Sequence, residues 1–169
     1  TGSWDQIPFD GYAFWLDNDA GIFIGNNEAV GDYKHYAFIP KSGNYSSVKY
    51  GRCSFSVDAN VMSVGHSNGK WWVIFHNHEV WTTTASTPDY NTDWVKETLT
   101  GSYGQIGDGK GMVALSSDEL LVGTKLILNT ATNVVTTANN YEGSLGNAVR
   151  RTTISANGSG KAIYFMGDY

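Results

Sequence analysis

Carboxylates, amides and histidines recur in short clusters along this chain: Asp17-Asn18-Asp19, His76-Asn77-His78-Glu79, Ser117-Asp118-Glu119 and Asp168. Two carboxyl groups held about 5 to 9 Å apart can cleave a glycosidic bond, one as the acid and the other as base or nucleophile. Asp17, Asp19, Glu79, Asp118 and Glu119 are the candidates for such a pair. The same side chains, carried on turns of a rigid scaffold, can instead bind sugar hydroxyls without doing chemistry on them. His76 and His78 stand two apart, so on a strand they would point to one side and could hold a metal together with Glu79. Histidines in an exposed turn commonly hold nothing, and no metal or other cofactor is expected. Asp17-x-Asp19-x-Gly21 has the opening of a calcium loop but not its later acidic ligand. Trp71 and Trp72 are adjacent, so on a strand one faces the core and the other faces out, where an indole such as Trp72 can stack on a pyranose ring. The competing reading packs that indole against a neighbouring sheet.

Composition narrows the classes further. The chain has 169 residues, enough for a single domain with a real core, and residues 1–169 are read as one unit. The start, Thr1-Gly2-Ser3, has the look of a cloning remnant, so a piece excised from a longer chain is expected. A net charge of −5 disfavours nucleic acid, which needs Lys and Arg to displace phosphate counterions. The apolar run Trp71 to Phe75 is far shorter than the roughly 20 residues that cross a bilayer, so no membrane insertion is expected. The single cysteine, Cys53, permits no intrachain disulfide, and its setting in Arg52-Cys-Ser-Phe-Ser-Val57 reads as a small buried strand residue. No nucleophile elbow, phosphate loop or nucleotide fingerprint occurs.

The elements that must position these residues are strands. Short runs rich in Val, Ile, Thr, Tyr, Phe and Trp are bounded by Gly, Asn, Asp and Ser, and apolar residues rarely recur at helical spacing, which predicts an all-β fold. Ser117 to Leu121 resembles a helix start, but Gly123 leaves it barely a turn. One pattern repeats: a polar strand, a Gly-rich turn, an apolar strand, an acidic or amide-rich turn and another apolar strand. Its equivalent glycines are Gly11, Gly69, Gly109 and Gly158, with an insertion near 41–57. That spacing is close to the roughly 40 to 50 residues of a four-stranded propeller blade, which predicts three to four blades. A β-sandwich or jelly-roll head has hairpins of similar rhythm and is the alternative. If the units are blades, the acidic turns gather on one face of the ring.

The second unit continues as Thr87-Pro88-Asp89-Tyr90-Asn91-Thr92-Asp93-Trp94. This resembles the Asp-box of sialidase-type β-propellers, Ser/Thr-x-Asp-x-Gly/Asn-x-x-Trp, at all four defining positions. Asp89 can accept bonds from turn amides, Asn91 tolerates a left-handed backbone, and Trp94 can plug the turn from below. The resemblance implies that Thr87, Asp89, Asn91 and Trp94 form a structural hairpin between the two outer strands of a blade, away from the ligand side. It covers eight residues, and the other units keep only fragments such as Asn129-Thr-Ala-Thr-Asn133. Sialidases of that family also grip a substrate carboxylate with three arginines. Here Arg52, Arg150 and Arg151 are the only arginines, and two are sequence neighbours that would point to opposite faces of a strand.

The expectation that follows is a carbohydrate- or receptor-binding module, similar to a lectin or to the receptor-binding head of a bacteriophage tail fibre. Its ligand would be a glycan or cell-surface receptor, its setting extracellular or on a virion surface, and its form a dimer or trimer that closes the sheet edge and multiplies weak sites. The ligand contacts expected are Asp17, Asn18, Asp19, Trp72, His76, His78, Glu79, Asp118 and Glu119. A sialidase-like glycan-cleaving hydrolase and a structural or protein-binding propeller are the alternatives.

Overall fold

The computed structural model of the protein describes residues 10–16, 20–26, 33–40, 49–86, 88, 92–101, 106, 111–123, 126–137, 152–156 and 162–166. Among them the fold is all-β, with no α-helix. The first sheet is built from β1 (Asp10–Leu16), β2 (Ala20–Asn26), β3 (Tyr33–Pro40) and β4 (Lys49–Ser56). The second comprises β5 (Val61–Ser67), β6 (Lys70–Phe75), β7 (Val80–Thr83) and β8 (Val95–Glu97). The third holds β9 (Met112–Ala114), β10 (Glu119–Val122), β11 (Leu126–Asn129) and β12 (Val134–Thr137), and a last hairpin pairs β13 (Thr152–Ala156) with β14 (Ala162–Met166). Every sheet is an antiparallel meander whose neighbours in space are neighbours in sequence. The helix-like start at Ser117 is a turn that leads into β10, because the apolar residues Leu120 to Val122 pair on both sides with β9 and β11, and Glu119 pairs with β11.

The sheets meet through their first strands. β1 lies against β5, β5 against β9, and β9 against β13. Gly65 in the middle of β5 allows this closeness: a Cβ there would stand 2.7 Å from the Met112 sulfur and 3.3 Å from Leu120. Asn68 and Gly69 turn β5 into β6 with φ of 52° and 67°, the left-handed pair that a two-residue type I′ hairpin requires. Among the described residues no strand pairing joins the last hairpin to the first sheet.

The second sheet is covered on both faces. Trp71, Val73 and Phe75 point one way along β6, and Trp81 joins them through its pairing with Val73. That face meets the first sheet: Trp71 lies edge-on to Phe38 at 6.0 Å, and Phe55 packs against Phe75, Trp81 and Trp94 with ring centroids 4.8 to 5.6 Å apart. Trp72, Ile74, Val80, Thr82 and Glu97 share the opposite face by register. It turns toward the third sheet, whose Asn133 amide donates to Glu97 Oε2 at 2.9 Å. Trp71 and Trp72 are therefore both buried, 2% and 0% exposed. The expectation that one of them faces solvent fails because alternation exposes a side chain only where one face of a sheet is free.

The outer edge of the second sheet also clasps the third. Thr100 forms a parallel bridge to Val134, donating to Asn133 O at 2.9 Å and accepting from Val135 N–H at 2.8 Å. Gly101 follows with φ of 110°, its α-carbon so close to Val135 that a Cβ would lie 2.2 Å from the Val135 carbonyl oxygen.

Candidate functional site

An open cleft of about 380 Å³ lies where the β6–β7 turn meets β8, lined by Asn77, His78, Glu79, Val80, Lys96, Glu97, Thr98 and Leu99. The turn is fixed by its own backbone. Phe75 N–H donates to Glu79 O, His78 N–H to Phe75 O and His76 N–H to Asn60 O, each at 2.9 Å, while Asn77 Oδ1 accepts Glu79 N–H at 3.1 Å. His78 takes a φ of 68°, so His76 and His78 stand on a turn and the strand alternation that would align them does not apply. Both are exposed, and the described residues contain no cluster of three potential metal ligands.

Glu79 is engaged at both oxygens. Its Oε1 lies 2.6 Å from Lys96 Nζ, and its Oε2 accepts the Trp81 indole N–H at 3.0 Å. The bonds from Lys96 and then Trp81 outweigh partial burial and hold its carboxyl below the usual carboxylate range. Glu97 sits on the opposite face of the same ladder. Burial pushes its pKa up, but Thr82 Oγ1 at 2.7 Å, Lys70 Nζ at 3.0 Å and Asn133 Nδ2 at 2.9 Å outweigh burial, and the net shift is again downward. Each carboxylate is thus paired with a lysine, Glu79 with Lys96 on one face of the ladder and Glu97 with Lys70 on the other.

The turn that carries Asp118 and Glu119 lies elsewhere. The Ser116 and Ser117 hydroxyls donate to Asp118 Oδ1 at 3.0 and 3.3 Å, and the Asp118 carbonyl accepts Thr130 N–H at 2.8 Å. The Ser117 carbonyl accepts from Asn68 N–H and the Ser67 hydroxyl, both at 2.9 Å. Glu119 opens β10 opposite Asn129, its own carbonyl accepting Leu115 N–H at 2.9 Å. His76 is bonded at the start of β5 and Ser117 at its end, so the two acidic turns are separated by the seven residues of that strand, about 20 Å at roughly 3.4 Å per residue.

The acidic turns consequently do not gather on one face. The cluster at 76–79 follows the second strand of its meander, whereas 116–119 follows the first strand of its own. Strands of a meander alternate in direction, so these turns sit at opposite ends. Asp17, Asn18, Asp19 and Asp168 lie outside the described residues, the first three between β1 and β2 in sequence. Trp72 cannot meet a ligand from solvent: it is enclosed, its indole N–H donating to Ser67 O at 3.2 Å with Lys70 Nζ 5.7 Å from its ring.

Thr87, Asp89 and Asn91 also lie outside the described residues. The segment that contains them joins β7 to β8, the third and fourth strands of the sheet. Trp94 at its end is 9% exposed and edge-on to Phe55 at 4.8 Å, and its indole nitrogen has no hydrogen-bond partner among the described residues. Cys53 is 1% exposed, and burial, partly offset by the Lys34 charge, pushes its thiol up to about 12, so it is no nucleophile at neutral pH.

Sequence reasoning did not reach Lys70, Trp81, Lys96 and Glu97. The available signal was Glu79-x-Trp81, two residues that share one strand face, but their partner Lys96 is identified only by the β7–β8 register. Compared with protein-family models, curated proteins and solved structures, the chain matches none.

Proposed function

We propose that the protein is a carbohydrate-binding module, built as a propeller-like array of sheets, that holds its ligand in the cleft between the β6–β7 turn and β8. The observation that carries this reading is the state of the cleft's two carboxylates. Glu79 and Glu97 each have both oxygens engaged and pKa values held low. Glycoside cleavage by a carboxyl pair needs one member protonated near neutral pH, which calls for an environment that raises a pKa. Glu79 and Glu97 suit holding a geometry and not moving a proton. Asp118 and Glu119, at the far end of β5, are too distant to complete a pair with Glu79.

The blade arrangement is supported by the succession of first strands and by a middle sheet covered on both faces, since a two-layer sandwich leaves each sheet one free face. In that arrangement Trp94, packed edge-on against Phe55 just before β8, would serve as the plug tryptophan of an Asp-box. Asn77, His78, Lys96 and Thr98 supply the polar rim of the site, as expected of a recognition head that works outside the cell or on a virion in several copies.

The test is binding of the purified chain to a glycan array, with mass spectrometry of any sugar set free. Retention of a glycan with no released sugar is expected. Release of a shortened glycan would replace this reading with that of a hydrolase.

A further inference from the structure

We infer that the cleft selects an uncharged sugar and reads a pair of neighbouring hydroxyls with the Glu79–Lys96 ion pair. This inference rests on the carbohydrate-binding reading and names the class of ligand that the cleft would take. Lys96 is the exposed cation of the site, 54% exposed at its side chain against 26% for Glu79. An ammonium donates three bonds and a carboxylate oxygen can accept two, so each group keeps bonding capacity after the 2.6 Å contact between them. The pair therefore offers a donor and an acceptor side by side, at a spacing fixed by the β7–β8 pairing of Trp81 with Lys96 and by the Trp81 indole on Glu79 Oε2. A vicinal diol has the complementary arrangement, one hydroxyl accepting from the ammonium while the next donates to the carboxylate.

An acidic sugar fits poorly for the same reasons. Its carboxylate would have to draw Lys96 from its 2.6 Å contact with Glu79, and would face the Glu79 carboxylate as it did so. Lys70 offers no relief, being bonded to Glu97 at 3.0 Å on the other face of the ladder. Asn77 and Thr98 on the rim add uncharged contacts, and Asn77 keeps its NH₂ for a ligand while its Oδ1 holds the turn.

The experiment uses the full chain and a panel of neutral oligosaccharides built on glucose, galactose and mannose, each with a uronate-containing counterpart, measured by calorimetry from about 0.05 to about 0.5 M salt. The expected result is binding of at least one neutral member with affinity constant within about twofold across that salt range, and no tighter binding of its uronate counterpart. Lys96→Met is expected to weaken the neutral ligand by about tenfold, the loss typical of a hydrogen bond to a charged group. Glu79→Gln keeps an acceptor for Trp81 but frees the Lys96 charge, and is expected to shift preference toward the uronate. Should either variant not fold, amide shift changes on titrating the unaltered chain give the same answer, with Asn77, Lys96 and Thr98 expected to move. Binding restricted to uronates, salt-sensitive binding, or a bound glycan whose shift changes bypass these residues would overturn the inference while leaving a carbohydrate module. Absence of binding to any sugar would overturn the carbohydrate reading itself.

Discussion

Glu79 and Lys96 are 17 residues apart in sequence, yet their carboxylate and ammonium stand 2.6 Å apart at the mouth of the cleft. The hairpin ladder brings them together: Trp81 pairs with Lys96, and Glu79, two residues before Trp81, lies on the same face. The contact neutralises both groups and leaves each able to bond once more. On the proposed reading such a site would bind polar, uncharged groups, and a carboxyl held below its usual range is a poor proton donor.

Low pH is expected to loosen the second sheet. Glu79 and Glu97 have folded-state pKa values below their ordinary value of 4.5. A carboxyl with a depressed folded pKa contributes stability that is fully present above its unfolded pKa and lost as pH falls through the folded one. Melting temperature measured from neutral pH down into the acid range should therefore decline below about 4.5, and Glu97→Gln should flatten that decline. A wild-type profile with no acid limb would contradict the account of both carboxylates.

Trp72→Ala should cost about 3 to 5 kcal/mol in urea unfolding, as expected when a fully enclosed tryptophan is removed from a core. A loss under about 1 kcal/mol would mean that the face toward the third sheet is open.

Two glycines with positive φ should respond differently to alanine. Gly69 has φ of 67° with nothing within 4 Å of an added Cβ, so Gly69→Ala should cost only the roughly 1 to 2 kcal/mol of a left-handed residue. Gly101→Ala brings a methyl to 2.2 Å from the Val135 carbonyl and must break the Thr100–Val134 bridge or shift β12. Thermal melts should place Gly101→Ala clearly below Gly69→Ala, and the reverse order would refute the clasp between the second and third sheets.

Cys53 should resist a thiol reagent at about pH 8 in the native protein and react in denaturant, since its thiol is 1% exposed and raised to about 12. Full reaction under native conditions would show that the interface between the first and second sheets opens readily.

How far the sequence carried the reading depends on which interactions are local. Asn68-Gly69 between two alternating runs specifies a hairpin within a few residues, and β5 and β6 form around it. Cys53 was legible as a buried strand residue for the same reason. Trp72 was not, because its burial depends on a third sheet whose residues begin about 40 positions later. The repeat was recognisable as alternating strands and polar turns, but its phase was not: His76 to Glu79 and Ser116 to Glu119 look alike as turns, although one follows a second strand and the other a first. Polar composition reports that a turn is exposed and says nothing about the end of the sheet at which it lies. Lys96 escaped notice because a lone lysine on a three-residue strand has no local pattern, and only pairing register gives it Glu79 as a partner.

The measurement that bears most directly on this account is calorimetric titration of the purified chain with the neutral oligosaccharide panel, followed by mass spectrometry of the sugar recovered. Saturable binding of a neutral sugar, recovered intact and weakened by Lys96→Met, is the predicted result. A shortened sugar, or binding that Lys96→Met leaves unchanged, would contradict it.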